Sequence, residues 1–358
     1  MFGKMMNRFY YGKSGKGDFT KEDLPQNRWQ LFWEMLRVRF SALIRLNLMY
    51  MVVWLPTIFI IVNLVLVCLS GLSETQPDVA TGTTEIEATA VVGTAETEAD
   101  VAAGTDGVLA EDEAYQSFLG IIPSLILQAL LLLIPCIAIT GPFTAGVAYV
   151  TRNWARDEHA FIWSDFWDAV KANWKQGLLV SLITSLMPAI LYVCYQFYGE
   201  MAQQSMLYII PQVLCVMVAF IWLCSLTYMY PQMVTYKLTF RGLVRNSLIM
   251  AVGRLPMSVG LKLLSLVPVA LGVVVSLFTP YFQYALMIII LYYVLIGFTL
   301  SRFVGASYAN AVFDHYINPN IEGAEVNRGL YVEEDEDDED ASAGEEALSK
   351  GQDESPDA

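Results

Sequence analysis

The sequence predicts an all-α integral membrane protein with six transmembrane helices, and amphipathic interfacial helices before spans 1, 3 and 5. Three observations predict it. Apolar residues make up 55% of the 358-residue chain, and the mean hydropathy is +0.46. They are gathered in runs that approach or exceed the roughly 20 residues a helix needs to cross ~30 Å of hydrocarbon. Among the connections between those runs, Lys and Arg occur only in alternate ones.

The net charge of -15 is unevenly placed: 13 of the 36 acids follow Val332 and 11 lie between Glu74 and Glu113. Elsewhere 20 Lys and Arg outnumber 12 acids. The first 45 residues carry nine Lys and Arg and no apolar run that could serve as the core of a secretory signal. The first long helix is therefore expected to act as an uncleaved anchor. The five cysteines (Cys68, Cys136, Cys194, Cys215, Cys224) all fall in apolar runs and form no C-x-x-C pair. They read as small buried apolar residues.

The spans read as Leu48–Leu72, Phe118–Thr140, Leu178–Tyr198, Met206–Tyr230, Leu261–Phe278 and Tyr284–Gly305. They divide the chain into an N-terminal segment (1–47), connections at 73–117, 141–177 and 231–260, two short connections between spans 3 and 4 and spans 5 and 6, and a tail from 306 to 358. Nine basic residues precede span 1, four lie between spans 2 and 3, and five lie between Lys237 and Lys262. The three other connections contain none. Because Lys and Arg mark cytoplasmic loops, six crossings place both termini in the cytoplasm, in a multi-pass protein of the cell membrane.

Each odd-numbered span follows a stretch with the pattern of an amphipathic helix on the cytoplasmic face. The first places Trp29, Phe32, Trp33, Leu36, Phe40 and Leu43 on one side and Arg37 elsewhere, with Asn27 and Gln30 spaced as a capping box. The second places Trp163, Phe166, Trp167, Val170 and Trp174 at helical spacing, with Ser164 as N-cap and Asp165 in the first turn. In the third, Lys237, Arg241 and Arg245 form a basic stripe suited to anionic headgroups. Together with Pro56, Pro188 and Pro268 in equivalent places, the stretches suggest a three-fold repeat of surface helix, crossing and return crossing. Residues 73–113 and 332–358 read as disordered, being short of aromatic residues and rich in Ala, Thr, Gly or acids.

Few residues offer chemistry inside the spans. Asn63 and Gln128 are candidate intramembrane polar contacts, either joining helices or lining a midplane cavity. No Asp or Glu lies within a span, and Lys262 and Arg302 sit near enough to a cytoplasmic end to reach water. That pattern argues against a proton-coupled carrier but leaves a passive pore open. Asp157, Glu158, His159, Asp165 and Asp168 lack the spacing of a metal or acid-base site. Gly12-Lys13-Ser14 lacks the upstream glycine of a phosphate loop, which stands as Asn7. No enzyme activity, cofactor, metal site or nucleic-acid partner is expected.

Three stretches carry a resemblance. Met1-Phe2-Gly3-Lys4 with Phe9-Tyr10-Tyr11-Gly12-Lys13, then Gly141-Pro142-Phe143-Thr144-Ala145-Gly146, then Trp163-Ser164-Asp165-Phe166-Trp167 resemble the YesL-like bacterial integral membrane protein family, domain of unknown function 624. The resemblance implies a setting beside carbohydrate-uptake systems. Small residues at 141–146 would let helices approach closely, and Gly141-Pro142 would close span 2.

Two functions follow as expectations. One is an accessory or regulatory partner of a carbohydrate-uptake system, meeting the bilayer and a sugar transporter or sensor subunit through Trp29, Trp33, Arg37, Trp163, Trp167, Trp174, Lys237, Arg241 and Arg245. The other is a transport component resembling the permease subunit of an ATP-driven importer, because 242–256 has the spacing of a coupling loop.

Overall fold

The computed structural model describes residues 25–74, 97–278 and 282–330. Among them the regular structure is helical, without a strand: α1 (Arg28–Val38), α2 (Phe40–Glu74), α3 (Thr97–Trp154), α4 (Ser164–Ala202), α5 (Ile209–Thr235), α6 (Phe240–Gly253), α7 (Leu255–Phe278), α8 (Phe282–Tyr292), a π-helical segment at Tyr293–Gly297, and α9 (Phe298–Tyr316).

Six stretches are long and apolar enough to cross a membrane: Phe40–Cys68, Leu119–Trp154, Ser164–Ala202, Met206–Thr235, Leu255–Val275 and Tyr284–Asn320. Each leaves large apolar side chains exposed, among them Phe59, Leu132, Ile190, Leu214, Val273 and Met287. A soluble protein rarely exposes so much contiguous apolar surface, whereas a bilayer solvates it and requires the backbone bonding that helices supply internally.

Several boundaries differ from the sequence reading. The chain bends at Arg39, so Phe40 and Leu43 open the first spanning helix instead of ending the surface helix. Arg45 and Asn47 interrupt the apolar run and hide that start; hydrogen bonding continues through them. Gly141-Pro142 does not close span 2, because α3 runs on to Trp154. The second surface stretch is not separate either. It is the first part of α4, a 39-residue helix about 58 Å long at 1.5 Å per residue, and its Phe166 packs beside Gly146 of α3. Residues 97–113, read as disordered, are helical; 75–96, the acidic tail from 332 and the glycine-lysine motif at 12–14 lie outside the described residues. Lys237 precedes α6 in a non-helical stretch, so the basic stripe on the helix reduces to Arg241 and Arg245.

Caps follow the same pattern of near agreement. Asn27 is the N-cap of α1 but makes no side-chain cap bond; Gln30 Oε1 instead accepts from the Gln26 N–H at 3.0 Å. Trp163, not Ser164, is the N-cap of α4, and Asp165 Oδ2 accepts from the Phe161 N–H at 2.8 Å.

The chain divides into two compact units. Unit one comprises Met1–Phe40, Asn153–His159 and Asn310–Ala358, with Leu31, Met35, Trp154 and Phe313 buried. Unit two comprises Ser41–Arg152 and Ala160–Ala309. Its core includes Ala145, Val180, Trp222, Met229, Met233 and Leu243, so α6 docks its inner face on α5.

Candidate functional site

Within unit one, three segments distant in sequence are joined by charge. Asp314 of α9 is buried and receives hydrogen bonds from Arg28 of α1 and from Asn318. Arg156, in the turn after α3, lies 3.8 Å from Asp314, pairs with Glu158 at 3.0 Å and donates to the Glu325 carbonyl at 3.1 Å. Arg328 reaches Glu158 at 3.5 Å. Burial lowers the Arg28 pKa from its ordinary value, and the Asp314 carboxylate opposes that shift. Glu158, weighed in the sequence for acid-base chemistry, is thus a structural counter-ion. The turn is tight: Asp157 has φ 56°, and Gly329, at φ +83°, lies where a Cβ would press on the Arg156 carbonyl.

The predicted surface residues are scattered over both units. Trp29, Trp33 and Arg37 are exposed on α1, while its Leu31 and Met35 are buried. The rings of Trp29 and Trp33 meet edge to face, 5.6 Å apart. In unit two, Trp163 and Trp174 are exposed and Trp167 is partly buried, its ring against Trp163 and Phe143. Lys237, Arg241 and Arg245 are exposed.

Asn63 and Gln128 both face outward. Asn63 Nδ2 donates to the Phe59 carbonyl of its own helix at 2.9 Å. Two buried amides that make polar contacts, Asn47 and Gln232, lie just outside the spans of the sequence reading. Asn47 is fully buried; its Nδ2 donates to the carbonyls of Tyr293 and Val294 at 2.9 and 2.8 Å, and its Oδ1 accepts from the Thr299 N–H at 3.0 Å. The two carbonyls belong to the π-helical segment and the Thr299 N–H lies just beyond it, where the backbone register changes and frees hydrogen-bonding groups. Gln232 is likewise fully buried, with Oε1 accepting from Ser247 Oγ at 2.9 Å. Asparagine at the edge of an apolar run was the available signal.

Beside the π-helical segment, unit two contains a partly open cavity of about 320 Å³ lined from α2, α3, α5, α7 and α9. Lys262 of α7 and Arg302 of α9, read from the sequence as near enough to a cytoplasmic end to reach water, both line it. Among the described residues no carboxylate pairs with either. The Arg302 guanidinium lies 5.6 Å from the centroid of the Tyr230 ring, a contact of about 0.5–2 kcal/mol. That contact engages one of the two cations. Trp54 and Phe298 stack with centroids 5.8 Å apart and form an aromatic wall.

Residues 52–195 match DUF624, a family described as protein of unknown function. No curated protein and no solved structure matches the chain.

Proposed function

We propose that this multi-pass membrane protein, whose residues 52–195 match the DUF624 family, is an accessory or regulatory partner of a carbohydrate-uptake system, held in the cell membrane with both termini in the cytoplasm. The observation that carries the reading is the ion-paired unit one. It joins the N-terminal helix, the start of the connection after span 2 and the segment after span 6. A chain of six crossings brings those three segments to one face, the face on which its cations concentrate. Ordering them through buried charge fixes the pose of α1, whose outer side presents Trp29, Trp33 and Arg37; aromatic residues and arginine are enriched where proteins bind one another. The carbohydrate setting comes from the resemblance to YesL-like proteins.

Affinity purification of the full chain from crosslinked cells in mild detergent tests this. Recovery of a sugar-transporter or sensor subunit, diminished by Trp29→Ala with Trp33→Ala, is expected. Repeated recovery of the chain alone would overturn it.

A permease subunit is the second reading, favoured by α6 alone: a short helix between two spans that keeps Arg241 and Arg245 exposed. A co-purifying ATPase with ATP-dependent uptake in vesicles would favour it.

A further inference from the structure

We propose that the cavity bounded by Lys262 and Arg302 binds a phosphate group. The cavity lies within unit two and its occupancy is independent of any docking partner.

The first feature is charge. Two cations from different spans line one cavity, and no carboxylate among the described residues neutralises them. Like charges in surroundings of low dielectric repel strongly, and the repulsion becomes attraction when an anion sits between them. A phosphate monoester carries about -1.5 to -2 at neutral pH, which matches a lysine and an arginine together better than a carboxylate's single charge. Guanidinium and ammonium groups are also the usual phosphate donors.

The second is shape. About 320 Å³ falls at the lower end of the ligand-pocket range of roughly 300–1,000 Å³, enough for a headgroup or small phosphorylated molecule. Tyr50, Trp54, Tyr293 and Phe298 supply an aromatic surface for its carbon-bearing part, and Ser301 adds a hydroxyl.

The third is access. Lining residues Tyr50 of α2, Thr151 of α3, Pro231 of α5 and Lys262 of α7 fall within about three turns of the helix end adjoining the N-terminal segment or one of the two basic connections, between spans 2 and 3 and between spans 4 and 5. The cavity thus lies toward the basic side of the spans. Leu223 and Leu266 on its wall are exposed, giving a lateral opening as well. A phosphate could therefore arrive in a lipid headgroup or from water.

The full-length chain is reconstituted in two kinds of nanodisc, and thermal unfolding is read in both. In phosphatidylcholine discs, inorganic phosphate is titrated in; in the second kind, phosphatidic acid, whose headgroup is a phosphate monoester, replaces part of the phosphatidylcholine. A rise in Tm of about 2–4 °C in the first arm identifies a soluble phosphate, and in the second a lipid headgroup. Lys262→Met with Arg302→Met should erase the rise, and Lys262→Arg should keep it. No rise in either arm, or an equal rise in the double variant, overturns the proposal. Should the double variant fail to assemble, native mass spectrometry of the wild type decides: one retained phosphate or phosphatidic acid per chain supports the site, and none overturns it.

Discussion

Gly141 of α3 packs its backbone against Gly177 of α4, so that a Cβ on Gly141 would collide with the Gly177 carbonyl oxygen and with Ser181 Oγ. Ser181 Oγ in turn donates to the Ala138 carbonyl across the same crossing. In a bilayer, where apolar surface gains little by leaving lipid, such close approach and interhelical hydrogen bonding hold helices together.

Gly141→Ala is expected to destabilise the chain by about 1–3 kcal/mol, the usual cost of forcing atoms into a packed contact. Gly120→Ala, on the same helix with nothing within 4 Å of the added carbon, should be neutral or slightly stabilising. Thermal unfolding in one detergent compares the pair; equal effects would refute the contact.

Asn47→Leu should be severe. It strips partners from the Tyr293 and Val294 carbonyls and the Thr299 N–H, at about 1–3 kcal/mol for each buried group left unmade. Faster amide hydrogen exchange across 293–299 is the direct measurement. Asn63→Ala, which removes only a bond to its own helix on an exposed face, should leave both exchange and stability near wild type.

Asp314→Ala leaves Arg28 and Arg156 without their shared carboxylate in unit one. Breaking a buried pair costs about 3–5 kcal/mol, so limited proteolysis should cut within 310–330 in the variant before the wild type. Removing Asp168, whose pairing with Lys171 is exposed on both sides, should change stability by no more than about 1 kcal/mol.

For the proposed orientation, a phosphatase fused after Gln203 should be active outside the cell, and a fluorescent reporter at the C-terminus should be bright inside. The opposite pair of results would reverse the assignment of faces.

The sequence by itself determined the six apolar runs, the all-helical class, the alternation of basic and cation-free connections, and the small-residue stretch at 141–146. These are local properties, since the length of an apolar run and the spacing of glycines do not depend on what lies opposite. It misplaced helix ends wherever a polar residue inside a continuing helix resembled a boundary, as at Arg45 and Asn47, or where Gly-Pro resembled a stop. Tertiary structure alone decided which polar groups meet. Asn47 finds Tyr293 246 positions away, and Arg28 finds Asp314 at a separation of 286. Lys262 and Arg302, each unremarkable on its own helix, share a cavity only because α7 and α9 turn them toward the same space. No periodicity along the chain encodes those meetings, because they are fixed by how helices rotate and register against one another in three dimensions.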